Sequence, residues 1–150
     1  SHAHYDHTGG LEAFLKKNNQ VRIYVPEPII EAQGAREVIE VPNPHQLHKN
    51  IYSTGMLDNI EQSMAVSTSK GLLLVAGCSH PDMAHILNAA AEFGSVYGIV
   101  GGLHGFNQYE LFSNMGLICA THCTQHKREI RERYAKQYME GGAGTIIEID

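Results

Sequence analysis

Ser1-His2-Ala3-His4-Tyr5-Asp6-His7 carries three imidazoles and a carboxylate within seven residues, too polar a stretch to build core. Neutral imidazole is the commonest ligand for zinc-like divalent ions, and carboxylate frequently accompanies it. In an extended segment alternate side chains point the same way, so His2, His4 and Asp6 line one side. His7 breaks that parity, which suits a chain turning into a helix and aiming its next side chain at a second ion. Thr8-Gly9-Gly10 follows, where missing side chains let the backbone pass close to the site. A tag or a solvated surface run also concentrates histidine. Tags repeat histidine without setting an aspartate at a fixed offset, so the stretch reads as a metal site.

The rest of the chain is that of an ordinary globular domain. Its 150 residues predict one domain, spanning 1–150, with 43% hydrophobic and 18% charged residues. A net charge of −5 argues against nucleic acid as a partner, which would need a basic footprint. Anionic small molecules stay open as substrates, because bound divalent ions reverse the local sign. The three cysteines, Cys78, Cys119 and Cys123, form no C-x-x-C pair, which favours a reducing compartment and a cytoplasmic location. No apolar run reaches the ~20 residues of a membrane helix, so no membrane association is expected.

Hydrophobic spacing predicts alternating strands and helices, hence an α/β layered domain. A helix is expected over residues 10–17, strands over 21–25 and 38–41, and a hairpin over 63–67 and 71–77 whose second strand is buried on both faces. Helices are expected over 83–93, near 108–115 and over 126–138. Strands are expected over 96–100, 117–120 and 145–149. Residues 26–55, punctuated by Pro26, Pro28, Pro42 and Pro44, resist assignment apart from the strand over 38–41.

Three further histidines share one context: a buried strand, one or more small residues, then the imidazole. They are His80 after Val75-Ala76-Gly77-Cys78-Ser79, His104 after Ile99-Val100-Gly101-Gly102-Leu103, and His122 after Ile118-Cys119-Ala120-Thr121. Sites in α/β sheets gather outside the carboxyl ends of strands. His80 and His122 are therefore expected as metal ligands, and His104 as a ligand, a substrate contact or a donor supporting a ligand. His45, His48, His85 and His126 read as surface residues. Cys78 and Cys123 read as small buried apolar residues, with soft metal ligation as the alternative. Glu61, before the hairpin, reads as a solvated turn residue, with a carboxylate added to the site as the alternative.

The chain resembles the metallo-β-lactamase fold superfamily, whose His-x-His-x-Asp-His motif is matched by His2, His4, Asp6 and His7. Gly77-Cys78-Ser79-His80-Pro81, Gly101-Gly102-Leu103-His104, Thr121-His122-Cys123-Thr124 and Gly141-Gly142-Ala143-Gly144-Thr145-Ile146 resemble a branch of that superfamily. This branch holds metallo-hydrolases related to the dihydropterin-linked aminobenzene phosphate synthases of methanopterin biosynthesis. The resemblance implies an αββα sandwich, one metal on His2, His4 and a later histidine, and a second on Asp6, His7 and His122. The bridging carboxylate usual at the end of a later strand has no match before Asp82. The usual Pro-Gly-His-Thr block is replaced by Asn59-Ile60-Glu61-Gln62-Ser63. Members of the superfamily carry further strands before the motif, so the chain is expected to be an incomplete sandwich that pairs with a second copy of itself.

The resulting expectation is a hydrolase of a small ester, lactone or phosphoester. A divalent ion would lower the pKa of water from ~15.7 towards ~7. Asp6 and His104 are the candidate catalytic residues, Asp6 orienting the nucleophile and His104 donating a hydrogen bond to the substrate or leaving group. One or two Zn2+ ions are the first choice, and Mn2+ or Fe2+ tolerate the same donors. Two alternatives stand beside it. One is a pterin-linked synthase with Tyr5, Phe106 and Tyr109 as aromatic contacts. The other is a metal-binding chain without catalysis.

Overall fold

Gly71-Leu72-Leu73-Leu74-Val75-Ala76 forms the strand on which the sheet changes character. In a computed structural model that describes residues 1–149, this strand, β6 (Gly71–Ala76), pairs antiparallel with β5 (Met64–Thr68) on one side. On the other side it pairs parallel with β7 (Val96–Gly102), which pairs parallel with β8 (Leu117–Thr121). The antiparallel half continues through β4 (Ile51–Ser53) to β3 (His45–His48), giving the order β3-β4-β5-β6-β7-β8. A separate pair, β1 (Arg22–Val25) and β2 (Glu37–Glu40), runs parallel. The α/β class expected from the alternation of elements is the class observed.

Parallel neighbours need crossovers, and these differ. Helix α3 (Met83–Ala91) links β6 to β7 and buries Met83, Ile86, Ala89 and Ala90, one apolar stripe at helical spacing. Asp82 caps it, its carboxylate accepting from the N–H of Ala84 at 2.8 Å. Between β7 and β8 lies only a short 3-10 turn, Tyr109–Phe112, where a longer helix is expected from the sequence. Phe112 is fully buried and stacks on Phe106 with ring centroids 4.3 Å apart. Around them, Leu74, Ile86, Ile99, Ile118 and Ile130 complete the core.

The hairpin forms as expected, but β6 is buried fully on one face only: Leu72, Leu74 and Ala76 are inside, Leu73 and Val75 half-exposed. The unassigned stretch supplies β3 and β4. The helices expected near the two ends are both shorter than their sequence patterns, α2 covering Leu11–Leu15 and α4 covering Lys127–Arg133. Thr145–Ile149 forms no strand. The outer edge of β8 is already taken by residues 137–139, where the N–H of Ile118 donates to Gln137 and the N–H of Met139 donates to Ile118, both at 2.9 Å. The consequence of this arrangement is positional. Three strands deliver their carboxyl ends to one edge of the sheet, and the amino-terminal motif lies across them.

Candidate metal centre

The opening motif splits at Tyr5. His4 is extended, and a single helical turn, α1 (Tyr5–Thr8), begins after it. The alternation that would set Asp6 beside His2 and His4 therefore ends one residue early. Asp6 turns with His7 to the other side.

Two clusters of donors result. His2, His4 and His80 form one, and Asp6, His7, Cys78 and His122 form the other; in each, one donor atom per residue lies within 4.8 Å of all the rest. In the first, Nε2 of His2 is 3.0 Å from Nδ1 of His4, and the His80 ring centroid lies 4.9 Å from His2 and 4.8 Å from His4. In the second, Nε2 of His122 is 3.2 Å and Nε2 of His7 is 3.6 Å from Oδ2 of Asp6. Nε2 of His7 also lies 3.2 Å from Sγ of Cys78. The clusters adjoin, with the rings of His2 and His7 4.2 Å apart between centroids.

The strand ends are shaped for this convergence. Ser79, His104 and His122, which follow β6, β7 and β8, all have positive φ, at 60°, 41° and 47°. Left-handed backbone at a side-chain-bearing residue redirects the chain sharply, here at each place where a strand meets the site. His104 stands outside both clusters, its ring 4.9 Å from that of His80. It lines a cavity of about 260 Å³ with His80, Asp82, Phe106, Asn107 and Gln108. His45 and His48 lie on β3, far in sequence from the site and exposed; His126 pairs with Glu129 at 3.9 Å. His85 is exposed as expected but bonded, its Nδ1 lying 3.0 Å from Oδ1 of Asp58.

Glu61 overturns the expectation of a solvated turn residue. Its side chain is 1% exposed. Oε1 accepts from the N–H of Cys78 at 2.8 Å and of Ser79 at 3.3 Å, and Oε2 accepts from the N–H of His80 at 3.0 Å. Oε1 also lies 3.8 Å from Nδ1 of His2. Burial works to raise its pKa, but the N–H groups of His80 and Cys78, then His2, outweigh it and hold the carboxyl below its usual range. The sequence signal was faint: an acidic residue just before a buried hairpin.

The donors fit a divalent cation. Nε2 of His80 is buried and has no hydrogen-bond partner among the described residues, an expensive condition for a polar nitrogen unless a ligand supplies the contact. Burial, reinforced by the imidazoles of His7, His4 and His80 against the pull of Glu61, lowers His2 to about 4. Burial likewise lowers His7 and His80. These imidazoles are thus neutral at neutral pH, the form that offers a lone pair to a metal. Burial pushes the Cys78 thiol up to about 12, so it keeps its proton until a cation displaces it. The mixed nitrogen, oxygen and sulfur set suits zinc-like ions.

No family model matches the chain. A 7,8-dihydropterin-6-methyl-4-(beta-D-ribofuranosyl)-aminobenzene-5'-phosphate synthase of Methanocaldococcus jannaschii is 26% identical over 215 residues, covering 98% of this chain and 73% of the relative. An uncharacterized protein of the same organism is 23% identical over 198 residues, covering 99% of this chain and 77% of its own length. The crystal structure of a metal-dependent hydrolase of the β-lactamase superfamily superposes with a TM-score of 0.80 at 20% identity, covering 99% of this chain and 77% of that one. The chain therefore has the metallo-β-lactamase fold, and its synthase relative matches the branch to which the opening motif and the Gly-Cys-Ser-His block point.

Proposed function

We propose that the chain is a metal-dependent hydrolase acting on a small ester, lactone or phosphoester, with His2, His4 and His80 as ligands of one ion and Asp6, His7, Cys78 and His122 as ligands of a second. The observation that carries the reading is the pair of adjoining donor clusters, assembled from the opening motif and the ends of β6 and β8. When bound, the ions supply Lewis acidity towards the substrate oxygen and acidify water. Zn2+ is the first choice, with Mn2+ and Fe2+ compatible with most of the donors.

The chain's own residues do the rest. Neutral His2, His7 and His80 keep their lone pairs available at neutral pH. The Asp6 carboxylate, between His7 and His122, brings the negative charge that orients a nucleophile. His104, which lines the cavity and lies outside both clusters, would hold a proton at the leaving group. Phe106 and the amides of Asn107 and Gln108 offer one apolar and two polar contacts for the substrate body.

A second reading is supported by the similarity to the synthase over 98% of this chain. In that case the same donors serve a transferase joining a pterin-type group to an aromatic phosphate. Of the aromatic residues considered for it, Phe106 lines the cavity, Tyr5 is 83% exposed, and Tyr109 lies beneath the guanidinium of Arg133 at 4.6 Å. Elemental analysis of the tag-free protein, followed by a screen of phosphodiesters and lactones against binding of reduced pterins, separates the readings. Hydrolysis supports the first, pterin binding without hydrolysis the second. Bound metal with neither outcome supports a non-catalytic metal-binding chain.

A further inference from the structure

Glu61 does more than fill a buried turn. It stands at the end of the loop between β4 and β5, a loop closed on itself by the N–H of Leu57 donating to Glu61 at 2.9 Å and turned by positive φ at Asp58 and Asn59. This loop grips the segment that follows β6 at two points. Glu61 accepts the N–H groups of Cys78, Ser79 and His80, and Asp58 accepts the N–H of Asp82 at 3.0 Å while also bonding His85. Gly77 makes room for the first grip: a Cβ there would come within 2.6 Å of Oε1 of Glu61.

The gripped segment supplies one donor to each cluster, His80 to the first and Cys78 to the second. The same carboxylate also faces Nδ1 of His2 at 3.8 Å with both side chains 1% exposed. Glu61 therefore bears on two of the three donors of the first cluster and on one of the four donors of the second.

We propose that Glu61 is the positioning residue of this centre, setting His2 and His80 for the first ion from a single buried carboxylate and favouring that ion over the second. Glu61 acts on His80 through its backbone N–H and on His2 as a charge 3.8 Å from Nδ1, a nitrogen that Oγ of Ser1 also approaches at 3.2 Å; loss of an outer partner of a metal ligand typically costs about 10- to 100-fold in metal affinity. Asp58, which holds the same segment without touching His2, is the matched control. The proposal rests on the metal-site reading above, and metal binding tests it without any substrate.

The experiment titrates Co2+ alone into metal-free wild type, Glu61→Gln and Asp58→Ala. A thiolate-to-cobalt charge-transfer band reports the Cys78 cluster, and ligand-field bands that appear without it report the His2–His4–His80 cluster. Competition with a chelator gives each affinity. In Glu61→Gln the affinity of the first cluster is expected to fall about 10- to 100-fold, with a smaller loss at the second, so the ratio between them shifts. In Asp58→Ala the ratio is expected to stay at its wild-type value. A Glu61→Gln protein whose ratio is unchanged overturns the proposal, whether both sites are intact or both are weakened alike. Wild type that binds no Co2+ overturns the metal-site reading instead. Should Glu61→Gln fail to fold without metal, Glu61→Asp keeps the charge at a shorter reach, and the same shift in ratio is read from it.

Discussion

Nε2 of His122 and Oδ2 of Asp6 stand 3.2 Å apart, joining the end of β8 to the first helical turn of the chain. Both side chains are substantially exposed, 41% and 56%, and an ion pair so open to water adds little to stability. The contact is costly to explain as scaffolding and simple to explain as half of a ligand set. Asp6→Ala is accordingly expected to leave the unfolding midpoint of the metal-free protein nearly unchanged. It should lower both turnover and occupancy of the second cluster by more than about 100-fold, beyond the usual loss from a supporting partner of a metal ligand. Unchanged turnover would remove Asp6 from the mechanism.

His104 gives the opposite pattern. It belongs to neither donor cluster but lines the cavity beside His80. His104→Ala should keep full metal content while slowing turnover about 10²- to 10⁴-fold, the range for loss of a positioned proton donor. Metal loss in this variant, measured by elemental analysis, would make His104 a ligand instead.

Ligation by Cys78 would make metal binding sensitive to pH. Its thiol, raised to about 12 by burial, with Cys123 beside it adding to the effect, must release a proton to ligate. Calorimetric titration with Zn2+ in two buffers of different ionisation enthalpy should show about one more proton released by wild type than by Cys78→Ala, and affinity at the second cluster should fall as pH falls. Equal proton release in the two proteins would exclude the thiolate.

Acid should destabilise the metal-free protein in two stages. His2 has a folded value of about 4, below the usual histidine value of roughly 6.5, so the unfolded chain takes up the proton first. Its contribution to stability is thus lost progressively as pH falls from about 6.5 to about 4. Glu61 is depressed in the folded state as well. The stability it supplies is full above the usual glutamate value of roughly 4.3 and is lost as pH falls through its lower folded value. Thermal midpoints measured from about pH 7 downwards should decline throughout; Glu61→Gln should flatten the lower stage and, by removing the charge that holds His2 up, carry the His2 stage to lower pH. A midpoint that rises on acidification would contradict both assignments.

Much of the donor arrangement is legible in the sequence because its chemistry is local. Imidazoles and a carboxylate packed into seven residues have few other uses, and His80 and His122 each follow an apolar run that ends at a sheet edge. Glu61 was not readable, because its burial depends on N–H groups that lie 17 to 19 positions away in sequence. The split of Asp6 from His2 and His4 hinged on where a single helical turn starts, and strand parity carries no information about that. The hairpin of β5 and β6 followed from two apolar runs on either side of the polar Thr68-Ser69-Lys70 turn. Thr145–Ile149 is as rich in β-branched residues and still forms no strand, since a pairing edge is a property of neighbours and residues 137–139 already occupy it.

The left-handed backbone at Ser79, His104 and His122 has a consequence for how this protein would respond to selection. Glycine relieves such conformations, so a search for heat-resistant variants should enrich glycine at these positions. Each such gain would delete an imidazole or loosen the turn that aims one. Robustness and donor geometry pull against each other at three points of one sheet edge, and a hardened descendant would keep the fold while losing the convergence of its imidazoles.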